Sequence, residues 1–299
     1  MGKKVAVGVA VYFGLQIVCL GLAIAAGAGA PMVFQDDFES GKVDYESKYS
    51  QSGNAPAIST ERARSGRYSM KSYLNRANSS VSKRTEVSVK APLTHIGSEL
   101  WYGFSIFLPK SFVPGNVWEI LAQWHGTPNY GNESLGRLNP PLSLATWKSD
   151  VPRGHWSLFC LWDADPLTSP GDYQIDGSKL WDLGPWATDE WTDWVFHIKW
   201  SYSSDGILQV WKNGINVIDY RGPNTYNDNT GPYLKMGVYK GWGDRNAPID
   251  IVTERTLWHD EIRIAGAAGS YDMVAPPGPR TGATGTVVDP NPPANVVVE

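Results

Sequence analysis

The chain has 299 residues, of which 42% are hydrophobic and 19% charged, and its formal net charge is −4. That apolar content supports a large buried core and excludes a disordered chain. The acidic balance excludes a molecule that attracts polyanions as a whole, so an anionic partner would need positive charge gathered locally, and no nucleic-acid partner is expected.

Residues 1–30 have the layout of a secretory signal. Lys3 and Lys4 precede an apolar run from Val5 to about Ala26, and small residues follow, with Ala26-x-Ala28 as a cleavage site. A secreted location, extracellular or periplasmic, is therefore expected. The alternative is a membrane anchor formed by residues 5–26 left uncleaved, because the run is nearly long enough to span a bilayer. Cys19 lies in this leader, outside the small-residue context of a lipoprotein signal.

Residues 31–274 read as one domain of strands. Arg67–Tyr73, Leu100–Leu108 and Trp118–His125 are apolar, strand-like runs. Alternation is clearest in Trp194–Trp200, where Trp194, Phe196, Ile198 and Trp200 share one face and His197 and Lys199 the other. Ile207–Lys212 and Ile215–Tyr220 flank Asn213-Gly214, a tight-turn pair, and so form a hairpin. Many strands with polar turns and no βαβ rhythm predict an all-β sandwich of two antiparallel sheets. Long loops at 126–141 and 163–190 are expected to rim a groove. Residues 275–299, rich in Pro, Gly, Thr and Ala, cannot bury enough apolar surface to order themselves and read as a tail.

The 14 Trp residues all fall between Trp101 and Trp258. Most are expected in the core. A minority would line a sugar-binding groove, since an indole face packs on the C–H face of a pyranose while its N–H keeps a polar partner. Cys160 sits in an apolar run and reads as a small core residue. His197 reads as a surface strand residue and His259 as structural.

Three strands carry polar groups at i and i+2, which share a face. Arg84 pairs with Glu86, Gln123 with His125, and Tyr233 with Lys235, Gly237 and Tyr239. Side by side, they would offer Arg, Gln, His, Lys and Tyr on one sheet face. That set suits β-elimination from a uronic acid. Arg84 and Gln123 would neutralise the carboxylate as charge builds beside it. A His or Tyr would take the proton and a Tyr would return one to the leaving sugar oxygen. Taken from the residues alone, the choice between His125 and Tyr239 as base stays open.

These segments resemble the alginate lyase motifs Arg-Ser/Thr-Glu-Leu, Gln-Ile/Val-His and Tyr-Phe-Lys-Ala-Gly-Val-Tyr-Asn-Gln, in the same order. Here they stand as Arg84-Thr-Glu-Val87, Gln123-Trp-His125 and Tyr233-Leu-Lys-Met-Gly-Val-Tyr-Lys-Gly241. The layout, including Trp191–Trp200 and Leu257–Ile264, is similar to the heparin-lyase-I-like polysaccharide lyases and covers roughly residues 33–266. The resemblance implies a β-jelly roll and an enzyme that cuts a uronic-acid polymer such as glucuronan, alginate or a related polyanion. It implies catalytic roles for Arg84, Gln123, His125 and Tyr239, and substrate-binding roles for Glu86, Lys235, Tyr233, Lys240 and Trp124. Lys240-Gly241 replaces Asn-Gln, Trp124 replaces Ile or Val, and Ser88 stands where the alginate group often has a further Arg.

No cofactor and no catalytic metal are expected, and Asp260-Glu261 is a weak signal for structural Ca²⁺. The expected partner is an acidic polysaccharide, with membrane contact only through an uncleaved leader, and the chain is expected to act as a monomer. Two other readings share the scaffold. A glycoside hydrolase would need two carboxylates flanking the bond, for which Glu86 and Glu119 are available. A non-catalytic carbohydrate-binding or lectin-like module would need only the aromatic groove.

Overall fold

The computed structural model describes residues 32–45, 47–50, 55–77, 83–89, 94–129, 139–147, 150–166, 175–243 and 249–278. The leader and nearly all of the tail lie outside them. Among the described residues no helix is long and apolar enough to cross a membrane.

Strands are numbered in chain order, and every pairing between these described strands is antiparallel. The eight-stranded sheet runs β13 (Ile215–Arg221), β12 (Ile207–Lys212), β11 (Glu190–Lys199), β6 (Glu99–Leu108), β15 (Glu254–Ala265), β4 (Ser69–Asn75) and β3 (Ala57–Ser59), with β1 (Met32–Asp36) on the far half of β15. The seven-stranded sheet runs β10 (Gly177–Pro185), β9 (His155–Trp162), β8 (Leu142–Trp147), β7 (Glu119–Thr127), β14 (Thr230–Lys240), β5 (Arg84–Ser88) and β2 (Ser47–Ser50). One helical turn, α1 (Tyr271–Val274), closes the described chain.

The two sheets pack through the faces that alternation selects. Trp194, Phe196 and Ile198 of β11, with Trp200 just beyond it, all point inward, as the period-2 pattern predicts. They meet Trp124 of β7, whose ring lies 4.6 Å from Phe196 and 5.4 Å from Tyr102. Each buried indole removes about 200 Å² from water, worth roughly 5 kcal/mol as an upper bound. Asn213 and Gly214 both take positive φ, 50° and 84°, which is the twist that a two-residue hairpin between β12 and β13 requires.

Two expectations need correction here. Segment 163–190 is not one loop, because Gly177–Pro185 pairs with β9 as an edge strand. His197 is almost buried: its ring stacks on Trp101 at 4.0 Å, and its nitrogens bond Glu99 and Gln209. Cys160, by contrast, is the fully buried core residue expected, and His259 has the structural place expected, buried with its Nε2–H donating to the Leu121 carbonyl.

Candidate active site

The three motif strands are neighbours, in the order β7, β14, β5. The register places His125 beside Tyr233, Gln123 beside Lys235, Glu86 beside Gly237, and Arg84 beside Tyr239. Leu234, Met236 and Val238 of β14 point into the core, so Tyr233, Lys235 and Tyr239 face away from it together. The sequence pattern therefore brings its polar residues to one face, but at two depths.

Arg84, His125, Tyr233 and Tyr239 are half-buried and form the accessible layer. Glu86, Gln123 and Lys235 are buried beneath them, each 1% exposed or less. Glu86 bridges the other two: its Oε1 accepts from Gln123 Nε2 at 2.5 Å, and its Oε2 lies 3.4 Å from Lys235 Nζ. Glu86 and Gln123 belong to strands on either side of β14, and they reach each other where β14 carries Gly237. A Cβ at Gly237, whose φ is 142°, would fall onto the Thr85 carbonyl of β5, so only Gly lets the strands close up here.

His125 is fixed as one tautomer. Nδ1 lies 2.7 Å from the Gly126 carbonyl, which can only accept, so Nδ1 carries the hydrogen and Nε2 holds a lone pair. Burial, and then the positive charges of Lys235 and Arg84, hold the His125 pKa below its ordinary 6.5. The imidazole is thus neutral near pH 7.

Tyr239 is held on two sides. The Arg84 guanidinium lies 4.2 Å from its ring centroid, and the Trp118 indole packs T-shaped against it with the ring centroids 4.8 Å apart. Arg84 links the two ends of the site: it stacks on Tyr239 and its charge also acts on His125.

Two residues assigned to substrate binding are elsewhere. Trp124 is fully buried on the core face, packed on Tyr102, Phe104, Phe196 and Trp200. Alternation puts it opposite Gln123 and His125, so it cannot share their face. Lys240 is also fully buried, inside the sandwich, where it pairs with Asp250 and lies 3.4 Å from Glu119. Glu119 in turn pairs with Arg255 of the other sheet and accepts from Thr146 at 2.6 Å. Glu86 and Lys235 keep the predicted face, but they support the site from below and do not line it.

Glu119 has a further consequence. The two carboxylates available to a hydrolase, Glu86 and Glu119, are both buried in ion pairs, one under the site and one between the sheets. The Asp260 carboxylate accepts the backbone N–H groups of Arg64 and Glu261, and Glu261 pairs with Arg263. Among the described residues no group of three or more His, Cys, Asp or Glu side chains is arranged to hold a metal.

Trp118 is the neighbour that strand counting misses. Counting back from Gln123 by twos gives Leu121 and Glu119. A β-bulge between Ile120 and Ala122 breaks that count, and Leu121 and Ala122 both enter the core. Ile120 then faces Tyr239 across the pair, and Trp118 reaches its ring. The signal available in sequence was Gly241, whose Cβ would lie 2.5 Å from Val117 Cγ1 and 2.9 Å from Trp118 Nε1.

Comparison with known proteins settles the family. A family model described as polysaccharide lyase matches residues 38–263. The chain belongs to this family. This polysaccharide lyase also shares its fold with the endo-β-1,4-glucuronan lyase of the fungus Trichoderma reesei. The two are 15% identical, with a TM-score of 0.61 over 78% of this chain and 94% of that one. A marine PL-14 alginate lyase from Aplysia kurodai gives a TM-score of 0.47 at 12% identity, over 74% of this chain and 90% of that one. No curated protein sequence matches the chain. The sandwich of two antiparallel sheets is thus the jelly roll of the polysaccharide lyases, and the protein is an enzyme of that class.

Proposed function

We propose that this lyase cuts a uronic-acid polysaccharide by β-elimination across the face formed by β7, β14 and β5. The observation that carries the proposal is the fixed tautomer of His125, a neutral imidazole, beside two cations, whose Nε2 holds a lone pair and makes no hydrogen bond among the described residues. Arg84, the half-buried cation of the site, takes the substrate carboxylate. The Glu86–Gln123–Lys235 layer, itself neutral, holds the floor, and Arg84 above it supplies the local positive charge that the whole chain, at −4, lacks.

His125 Nε2 takes the proton at C5 of the uronate. The electron pair left behind forms the C4–C5 double bond as the C4–O bond breaks. Tyr239 gives its phenolic proton to the departing oxygen. Arg84 offsets the charge that accumulates on the carboxylate between these two events. Proton transfer from His125 back to Tyr239, through solvent, resets the site.

The Trichoderma reesei enzyme is named for glucuronan, which makes glucuronan the first polymer to try, with alginate and glycosaminoglycan-type chains beside it. Residues 1–30 support export of the enzyme to where such polymers lie. Mass spectrometry of the products tests the reaction. Elimination gives fragments one water lighter than hydrolysis does, and fully hydrated fragments would refute the proposal.

A further inference from the structure

Many aromatic side chains line this fold, but few can touch a ligand. Trp124, Trp156, Trp194 and Trp200 are fully buried in the core. Trp258 is nearly buried, with its N–H on Ser59, and Trp186 directs its N–H to the Thr146 carbonyl. Trp101 and Trp211 pack with Tyr271 of α1 beside the eight-stranded sheet. Trp118 differs in touching a residue of the site. It is half-buried, its indole N–H makes no hydrogen bond among the described residues, and its ring packs T-shaped against Tyr239.

Its position is built into the backbone. The Gly241 N–H donates to the Trp118 carbonyl at 3.1 Å, and the indole occupies the space that a side chain at 241 would need. The bulge after Ile120 turns this segment toward the site face. Along β14 the order is Tyr233 beside His125, then Lys235, then Tyr239, then Gly241 with Trp118 against it. Trp118 therefore lies beyond Tyr239, on the side away from His125.

We infer that Trp118 is a sugar-stacking platform for the residue that departs with the leaving oxygen. This deepens the proposed function and rests on it. If His125 takes the proton from one uronate and Tyr239 protonates the oxygen that leaves it, the next sugar begins at Tyr239 and extends over Trp118. That sugar becomes the new reducing end. An indole face suits the apolar C–H face of its pyranose ring, and the unpaired N–H can donate to a hydroxyl or carboxylate oxygen.

The test is steady-state kinetics of W118A, W118F and G241A on the polymer that wild type converts, followed by unsaturated-product absorbance, with a thermal melt of each variant. W118A is expected to raise KM about tenfold while kcat stays within about threefold, the size of one lost aromatic contact. W118F should recover most of that loss. G241A, which displaces the indole without removing it, should copy W118A. An unchanged KM in W118A, or a fall in kcat alone, would overturn the assignment while leaving the elimination reaction standing. Wild type that forms no unsaturated product on any uronate polymer would overturn the proposed reaction and Trp118 with it.

Discussion

Replacing Lys240 by Met isolates the energetics behind the site. Lys240 is fully buried, and so is Asp250, its closest partner; Glu119 and Arg255 complete a neutral group of two cations and two anions. Arg255 comes from β15 and Glu119 from β7, so the group ties the two sheets together at one end of the sandwich. K240M leaves the Asp250 carboxylate buried without its cation, though Oδ1 keeps the N–H groups of Asn116 and Val252. Breaking a buried pair by removing one partner costs about 3–5 kcal/mol. For a domain of this size that lowers Tm by roughly 10 °C. D250N should cost about as much, since it strands Lys240 instead. The double variant K240M/D250N removes both charges, so its loss should fall short of the two single losses added together by about 2 kcal/mol. Urea unfolding of the four proteins reads this directly. Single losses under about 1 kcal/mol, or losses that add, would refute the view that these charges are dry and mutually dependent.

Further outcomes follow from the site itself. Y239F should lower kcat by about 10²–10⁴-fold with Tm unchanged, whereas Y233F, which leaves the Arg84-stacked phenol in place, should retain most activity; equal losses in both would show that Tyr239 is not the proton donor. R84A should weaken binding and turnover together, and unchanged kinetics would reduce Arg84 to a structural cation. The pH profile of kcat/KM should rise to a plateau through an apparent pKa below 6.5, because only neutral His125 can accept the proton and its folded pKa is lowered. A profile flat through that range would remove His125 as the base.

Stability also depends on pH through His259, whose folded pKa burial pushes down to about 3. The unfolded chain, with its His near 6.5, takes up the proton first, so this contribution is full above pH 6.5 and is lost as pH falls toward 3. Between pH 7 and pH 5 the loss is about 2 kcal/mol. Neighbouring Asp260 acts in the opposite sense, since burial raises its carboxyl to about 7 and the folded state gains as pH falls through that value. The informative quantity is therefore the difference between wild type and H259Q. Urea midpoints measured at both pH values should show the wild type losing about 2 kcal/mol more than the variant, and parallel behaviour would contradict the buried neutral imidazole.

Much of the fold was legible because alternation is local. The β11 face of Trp194, Phe196 and Ile198, and the turn at Asn213-Gly214, depend on residues a few positions apart. The site face was legible for the same reason, since i and i+2 place Arg84 with Glu86 and Gln123 with His125. Depth was not legible. The same rule cannot say that Glu86, Gln123 and Lys235 lie under Arg84 and His125, because that follows from strands meeting across Gly237. Long-range ion pairs are hidden too: the motif assigns Lys240 to substrate binding, whereas Asp250, Glu119 and Arg255 surround it. Trp124 was a different case. Its place between Gln123 and His125 already put it on the opposite face, and its position in the motif should have yielded to alternation. Trp118 was masked by one extra residue in β7, which reverses which side chains face the site.

The most direct test of β-elimination is ultraviolet absorbance during incubation of the enzyme with uronate polymers, glucuronan first, with reducing ends assayed in parallel. Absorbance from the new C4–C5 double bond should rise on at least one polymer in step with the reducing ends. Reducing ends that appear without the absorbance would mean hydrolysis and would contradict elimination.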